Sequence, residues 1–168
     1  MVAELDDENV PCLEKGVSEL KQPYGGAIRA VKACEGSTDL CPPDMGDALI
    51  LGLEIKEMYL RRKVPGDVKI AVAGCKRGCT DPVCADIGVM ARGKNMYDVF
   101  IGGCGGTGEP VHGQLLAAQV CREDVFKLLE HVLERYTSLA QPKEQLAAAV
   151  ERLGFKVFLP PADLITGS

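Results

Sequence analysis

An apolar run only six residues long, 68–73, ends in Gly74 and then delivers two cysteines, Cys75 and Cys79, with three residues between them. A run this short, closed by glycine and holding Val68, Ile70 and Val72, reads as a strand that ends in a sharp corner. A second pair, Cys34 and Cys41, stands at the end of another apolar run, 27–33. Four thiolates on two strand-to-loop corners are able to converge on one metal centre. Thiolates select iron–sulfur clusters, zinc or copper(I), and four of them complete the coordination of a [4Fe–4S] cubane.

The cysteines need such an explanation because the fold does not need cross-links. At 168 residues the chain is long enough to bury a core of its own. Its eight cysteines sit in a mildly acidic chain, 19 basic residues against 24 acidic, net −5. The opening Met1-Val2-Ala3-Glu4-Leu5-Asp6-Asp7-Glu8 is acidic where a secretory leader is basic. No apolar run is long enough to cross a bilayer. A cytoplasmic, reducing compartment is therefore the expectation, and cysteines there serve as ligands or redox groups more often than as cross-links. Without a basic surplus or tryptophan the chain offers no electrostatic footprint or stacking platform for nucleic acid.

In chain order, residues 1–24 form a lead segment in which Leu13, Val17 and Leu20 have helical spacing before a Pro-Tyr-Gly-Gly turn. Strand 27–33 follows and delivers Cys34. Residues 45–62 carry a broad apolar surface (Leu49, Leu53, Met58 and Leu60, with Ala48, Ile50, Leu51 and Ile55), which predicts a largely buried helix stopped by Pro65-Gly66. After strand 68–73 come strands 87–90 and 97–101, joined by the turn Arg92-Gly93-Lys94-Asn95. The second opens into Gly102-Gly103-Cys104-Gly105-Gly106-Thr107-Gly108, where backbone must approach something closely or adopt positive φ. Val125, Leu129, Val132 and Tyr136 predict an amphipathic helix over 123–139. A last helix is expected from Pro142 to Gly154, then an edge strand over 156–159 and a loose tail, 160–168. Strands cluster around one long helix and helices follow. That is an α+β domain with a mixed or antiparallel sheet of about four to five strands and three main helices, over residues 25–159.

The cysteine spacing is Cys-x6-Cys, a gap of 33 residues, then Cys-x3-Cys. Zinc fingers and ribbons prefer two to four residues inside each pair. Ferredoxins cluster their ligands more tightly, and a thioredoxin-type pair would be Cys-x-x-Cys. Four ordinary buried cysteines are the bland alternative, and their placement at strand ends argues against it.

Gly74-Cys75-x3-Cys79, Ala85-Asp86-Ile87-Gly88 and Tyr97-Asp98-Val99-Phe100-Ile101-Gly102-Gly103 together resemble the iron–sulfur half of the sirohaem nitrite and sulfite reductase family. The likeness continues upstream in Ile28-Arg29-Ala30-Val31-Lys32-Ala33-Cys34 and downstream in Glu134-Arg135-Tyr136, over residues 25–158. It implies a [4Fe–4S] cluster on Cys34, Cys41, Cys75 and Cys79, with Cys79 bridging to a sirohaem iron and Gly102, Gly103, Gly105 and Gly106 lying along that sirohaem. The implied reaction is multi-electron reduction of sulfite or nitrite, fed by an electron-donor protein.

The chain departs from the family in three ways. Its first cysteine pair is spaced one residue wider. Lys76-Arg77-Gly78 stands where Pro-Asn is usual. The chain is also about half of a usual subunit, which leaves two expectations: a short reductase that works as it stands, or a second subunit or homo-oligomer that completes the site. Lys76 and Arg77 would raise an anionic cluster's potential or attract an anionic ligand or partner. The alternative for both is a pair of solvated charges. His112, after the glycine-rich stretch, is a candidate proton donor to a substrate anion. Cys12 reads as a bystander, Cys121 as packing, and Cys84 and Cys104 as bystanders with extra ligands or redox thiols as the alternative. Two other functions stay open: an electron-transfer or accessory iron–sulfur subunit without haem, and a structural zinc protein.

Overall fold

The computed structural model describes residues 26–35, 41, 47–105 and 109–165. Five strands form one mixed sheet in simple chain order: β1 (Ile28–Ala33), β2 (Val68–Ala73), β3 (Ile87–Gly93), β4 (Met96–Ile101) and β5 (Gln114–Val120). β1, β2 and β3 run parallel, whereas β4 and β5 are antiparallel additions. The three helices are α1 (Ala48–Tyr59), α2 (Arg122–Leu139) and α3 (Leu146–Leu153). The expected α+β class with a mixed sheet and three helices is what the chain adopts.

Period-two alternation sorts the sheet into two unlike faces. Val68, Ile70 and Val72, with Ile87, Val89, Tyr97, Val99 and Ile101, point into one core that also holds Leu51 and Ile55 of α1 and Leu128, Leu129 and Val132 of α2. The two long helices are clamped to each other on that face. Arg62 holds Glu130 through two bonds of 2.7 and 2.6 Å, and Arg122 pairs with Glu54. Gly52 lets α1 settle on the sheet, since a Cβ there would meet the Ala33 side chain at 2.4 Å.

The opposite face is covered differently. The connection from β2 to β3 crosses it as a loop holding a short 3-10 turn, Pro82–Cys84. Gly88 of β3 lies directly beneath: a Cβ there would come within 1.9 Å of the Pro82 carbonyl oxygen. That loop carries Cys75, Cys79 and Cys84.

Four expectations are corrected. The helix over 45–62 is not largely buried. Its described part runs Ala48–Tyr59 and buries Ala48, Leu51, Gly52, Ile55 and Tyr59, while Leu49, Ile50, Leu53 and Met58 face outward. It ends at Leu60, where Arg61 turns to a φ of 70°, ahead of the Pro65-Gly66 stop. The last helix begins at Leu146 and not at Pro142, because residues 142–145 form a turn in which Lys143 has a φ of 65° and the Glu144 carboxylate accepts the Gln141 N–H. The edge strand over 156–159 is instead a 3-10 turn, Phe155–Phe158, that drives Phe158 into the core. The sheet's two edges are β1 and β5, and β5 has no counterpart among the strands expected from the sequence. The helix suggested by Leu13, Val17 and Leu20, and Cys12, lie outside the described residues.

Candidate metal centre

Parallel pairing of β1 with β2 is what brings the two cysteine pairs together. In an antiparallel pair their C-terminal ends would lie at opposite edges. Here Ala33 is level with Val72, so both chains leave the sheet side by side, one into Cys34 and the other into Gly74 and Cys75. The crevice outside the carboxyl ends of parallel strands is where α/β sheets place ligands. The Val72 carbonyl is the common anchor: it accepts the Cys34 N–H at 2.9 Å and the Thr80 hydroxyl at 2.9 Å. It thereby ties the start of one cysteine loop to the far side of the other.

Beyond Cys75 the chain turns tightly. Gly78, at a φ of 61°, donates its N–H to the Cys75 carbonyl at 3.1 Å, and its own carbonyl accepts the Asp81 N–H at 2.7 Å. Cys75 is buried, Cys34 and Cys41 are half-buried, and Cys79 is exposed. Partial burial raises the Cys41 thiol pKa, the neighbouring Cys75, Cys34 and Cys79 add to the rise, and Arg77 opposes it. Cys41 is thus within electrostatic reach of Cys75, Cys34 and Cys79.

Among the described residues no three His, Cys, Asp or Glu side chains close around a single ion. A lone tetrahedral zinc would need sulfurs about 2.3 Å from one point. A cubane takes its four thiolates at separate irons, so its sulfurs stand farther apart. Four thiols are the donor set that a [4Fe–4S] cluster takes.

The other candidate positions divide between the two ends of the sheet: Lys76 and Arg77 flank this corner, whereas Ile101 is level with Ile87 and Ile70, which sets the glycines after it, and His112, toward the start of β2. Lys76 and Arg77 are exposed beside Cys75. His112 is exposed just ahead of β5. Gly102, Gly103 and Gly105 come close to protein backbone and side chains: Gly103 would meet the Ala85 carbonyl oxygen at 2.4 Å if it carried a Cβ. Gly102 donates to the Asp86 carbonyl at 2.9 Å, and Gly105 to that of Cys84 at 2.9 Å. These described glycines stitch the β2–β3 loop down, and Gly106 lies outside the described residues. Cys84 sits at the wall so formed. Cys104 is bridged through its backbone to Val111, and Cys121 immediately precedes α2.

Sequence reading missed a cleft on this face. A cavity of about 350 Å³ is bordered by Lys32, Lys69, Thr80, Asp81, Cys84 and Gly105. A neighbouring one of about 340 Å³ shares Lys69, Cys84 and Gly105 and adds Arg29, Asp86 and Cys104. Burial pushes the Asp86 carboxyl up to about 6, against the Lys69 N–H it accepts at 2.9 Å and the Lys69 and Arg29 charges. The available signal was period two: Lys69 interrupts the apolar run of β2, and alternation puts it opposite Ile70 and Val72.

Comparison with known proteins agrees with this geometry. Residues 24–163 match the family model described as the nitrite and sulphite reductase 4Fe-4S domain. The chain is 34% identical over 130 residues to the nitrite reductase (NADH) large subunit of Escherichia coli K12, covering 77% of this chain but 15% of that protein. It is 28% identical over 142 residues to an assimilatory-type sulfite reductase of Nitratidesulfovibrio vulgaris, covering 82% of this chain and 64% of that one. The crystal structure of dissimilatory sulfite reductase I superposes with a TM-score of 0.68 at 14% identity, over 94% of this chain and 60% of that chain, and shares the fold. The chain thus spans less than two thirds of these relatives. With its two cysteine corners paired across parallel strands and its match over most of its length, this chain belongs to the nitrite and sulphite reductase 4Fe-4S domain family.

Proposed function

We propose that this chain holds a [4Fe–4S] cluster on Cys34, Cys41, Cys75 and Cys79 and serves as the cluster-bearing part of a reductase for sulfite or nitrite. The observation that supports the reading is the parallel pairing of β1 with β2, which sets Cys34 and Cys75 at neighbouring strand ends, with Cys41 within electrostatic reach of Cys34, Cys75 and Cys79. When bound, such a group supplies one-electron transfer at a potential set by nearby charge, hydrogen bonds and exposure.

The chain's own residues would shape that site in distinct ways. Cys75, buried against the sheet, anchors the inner side and keeps water from it. Thr80 and the Val72 carbonyl hold the two loops at a fixed separation. Cys79 is the exposed member of the four, so its sulfur is the one able to reach a second metal, and this supports the bridge to a sirohaem iron. Lys76 and Arg77 offset negative charge at the same corner. A substrate anion and a sirohaem need a second surface, contributed by another part of a longer chain, a second subunit or another copy. The reduced thiols this requires fit a cytoplasmic setting.

The alternative reading drops the haem. It makes the protein a cluster-carrying accessory part without haem. Anaerobic reconstitution with iron and sulfide, followed by optical and EPR spectra, tests the cluster. Co-expression with sirohaem synthesis then separates the readings: the reductase reading expects a Soret band and oxidation of the reduced protein by sulfite or nitrite. A cluster signal with neither would leave the accessory role. No cluster signal would end both.

A further inference from the structure

Along residues 76–81 every position is exposed or half-buried except Thr80, which is 9% exposed. The backbone bonds within this stretch run from the Gly78 N–H to the Cys75 carbonyl and from the Asp81 N–H to the Gly78 carbonyl, and they fold it on itself. The Thr80 hydroxyl is what fastens it to the sheet, donating to the Val72 carbonyl at 2.9 Å. The same oxygen accepts the Cys34 N–H at 2.9 Å. Thr80 directly follows Cys79 in the chain, so the outer cysteine of one pair and the first cysteine of the other are both referred to one atom at the end of β2. A second tie crosses this gap, from Lys32 to Asp81 over 3.9 Å, but those side chains are 57% and 71% exposed. An ion pair so open to water restrains little. A buried hydroxyl-to-carbonyl bond is the stronger restraint, because water does not compete for it.

We propose that Thr80 is a positioning residue for Cys79: its hydroxyl holds the exposed thiolate in place, and the iron at that thiolate is retained because of it. The proposal rests on the cluster reading above and adds the side chain that keeps its most exposed ligand in position. Cys79 follows Gly78, which sits at a φ of 61°, on a turn whose other side chains face water. Such a ligand has conformations to lose, and anchoring the next residue removes most of them before any metal arrives. Without the anchor the thiolate swings away more often, and its iron, the one nearest solvent, leaves first. Under mild oxidation by ferricyanide the balance is simple. The [4Fe–4S] cluster gives one electron to ferricyanide and one ferrous ion to solvent. An oxidised [3Fe–4S] cluster then remains on Cys34, Cys41 and Cys75, and the freed Cys79 thiolate takes a proton from water.

The test uses the full chain, reconstituted anaerobically with iron and sulfide, as wild type, Thr80→Val and Thr80→Ser. Valine keeps the shape of threonine without the hydroxyl, and serine keeps the hydroxyl without the methyl. On exposure to ferricyanide, Thr80→Val should lose iron about fivefold faster than wild type or more, read as growth of the [3Fe–4S] EPR signal. Thr80→Ser should stay within about twofold of wild type, and so should Lys32→Gln, which removes only the exposed tie. In the metal-free reduced chain, hydrogen exchange over residues 76–81 should quicken in Thr80→Val and not in Thr80→Ser. If Thr80→Val does not fold, Thr80→Ala set against Thr80→Ser isolates the same hydroxyl. Iron lost no faster from Thr80→Val than from wild type would overturn the proposal and leave the cluster reading standing. Loss quickened equally by Thr80→Ser would overturn it too, since packing of the methyl would then be the cause. Failure of the cluster reading is distinguishable at the outset, because the wild-type chain would take up no iron, and the proposal would fall with it.

Discussion

Asp86 shows most clearly how one residue ties the fold to its surroundings. The residue is 8% exposed, and its carboxylate accepts the N–H of Lys69 in β2. Burial lifts its pKa to about 6, above the unfolded value of about 3.9. The folded state therefore holds the proton more tightly, and this group favours folding fully below about pH 4 and loses that contribution as pH rises through about 6. Asp86→Asn keeps an acceptor for Lys69 and removes the cost of ionisation. Relative to wild type it should gain about 2–3 kcal/mol between pH 4 and pH 7 and change little beyond, as read by denaturant unfolding at each pH. Gly88 gives the opposite kind of prediction. Gly88→Ala places a methyl against the Pro82 carbonyl, 1.9 Å away, where backbone must move to make room. A loss of about 3 kcal/mol or more should follow, with the cysteine loop loosened as seen by faster hydrogen exchange over residues 79–86. The cysteines stood out in the sequence by their number and pairing, and Lys76-Arg77 by lying between two of them. Asp86 and Lys69 were not, since a single strand does not reveal which face a loop will cover.

The elements were legible in proportion to how far local pattern agrees with tertiary context. β2 and α2 carry strong periodicity and sit where it puts them, to within a residue. β5 was invisible because Gln114-Leu115-Leu116-Ala117-Ala118-Gln119-Val120 lacks β-branched residues until its end and does not alternate. Pairing with β4 imposes the strand, with register shifts on the way and a left-handed Gln119 whose N–H is held by the Asp98 carboxylate at 3.0 Å. Tertiary contact overrides propensity there. In α1 the error ran the other way: apolar residues all around the helix suggested burial, but one face alone meets the sheet. Substitution separates the two faces. Leu51→Ala, fully buried, should cost about 2–5 kcal/mol, whereas Leu53→Ala, 54% exposed, should stay within about 0.5 kcal/mol, both measured by chemical denaturation.

At the scale of the whole molecule, topology makes the site. A βαβ unit in parallel register places two strand ends together, and the 33 residues separating Cys41 from Cys75 are largely the helix and turn that the crossover requires. The spacing of the cysteines is thus a record of the crossover, which is why it fits neither a zinc ribbon nor a ferredoxin. The helices occupy one face of the sheet, and the loop with its glycine strap occupies the other, leaving the cleft beside Lys69 open. The measurement that bears most directly on this account is the iron and acid-labile sulfide content of the anaerobically reconstituted chain and its single cysteine-to-serine variants. Wild type, Cys84→Ser, Cys104→Ser and Cys121→Ser should each hold about four irons per chain, and Cys34→Ser, Cys41→Ser, Cys75→Ser and Cys79→Ser should each lose the intact cluster. Full iron retained in Cys75→Ser, or lost in Cys84→Ser with the other positions indifferent, would contradict it.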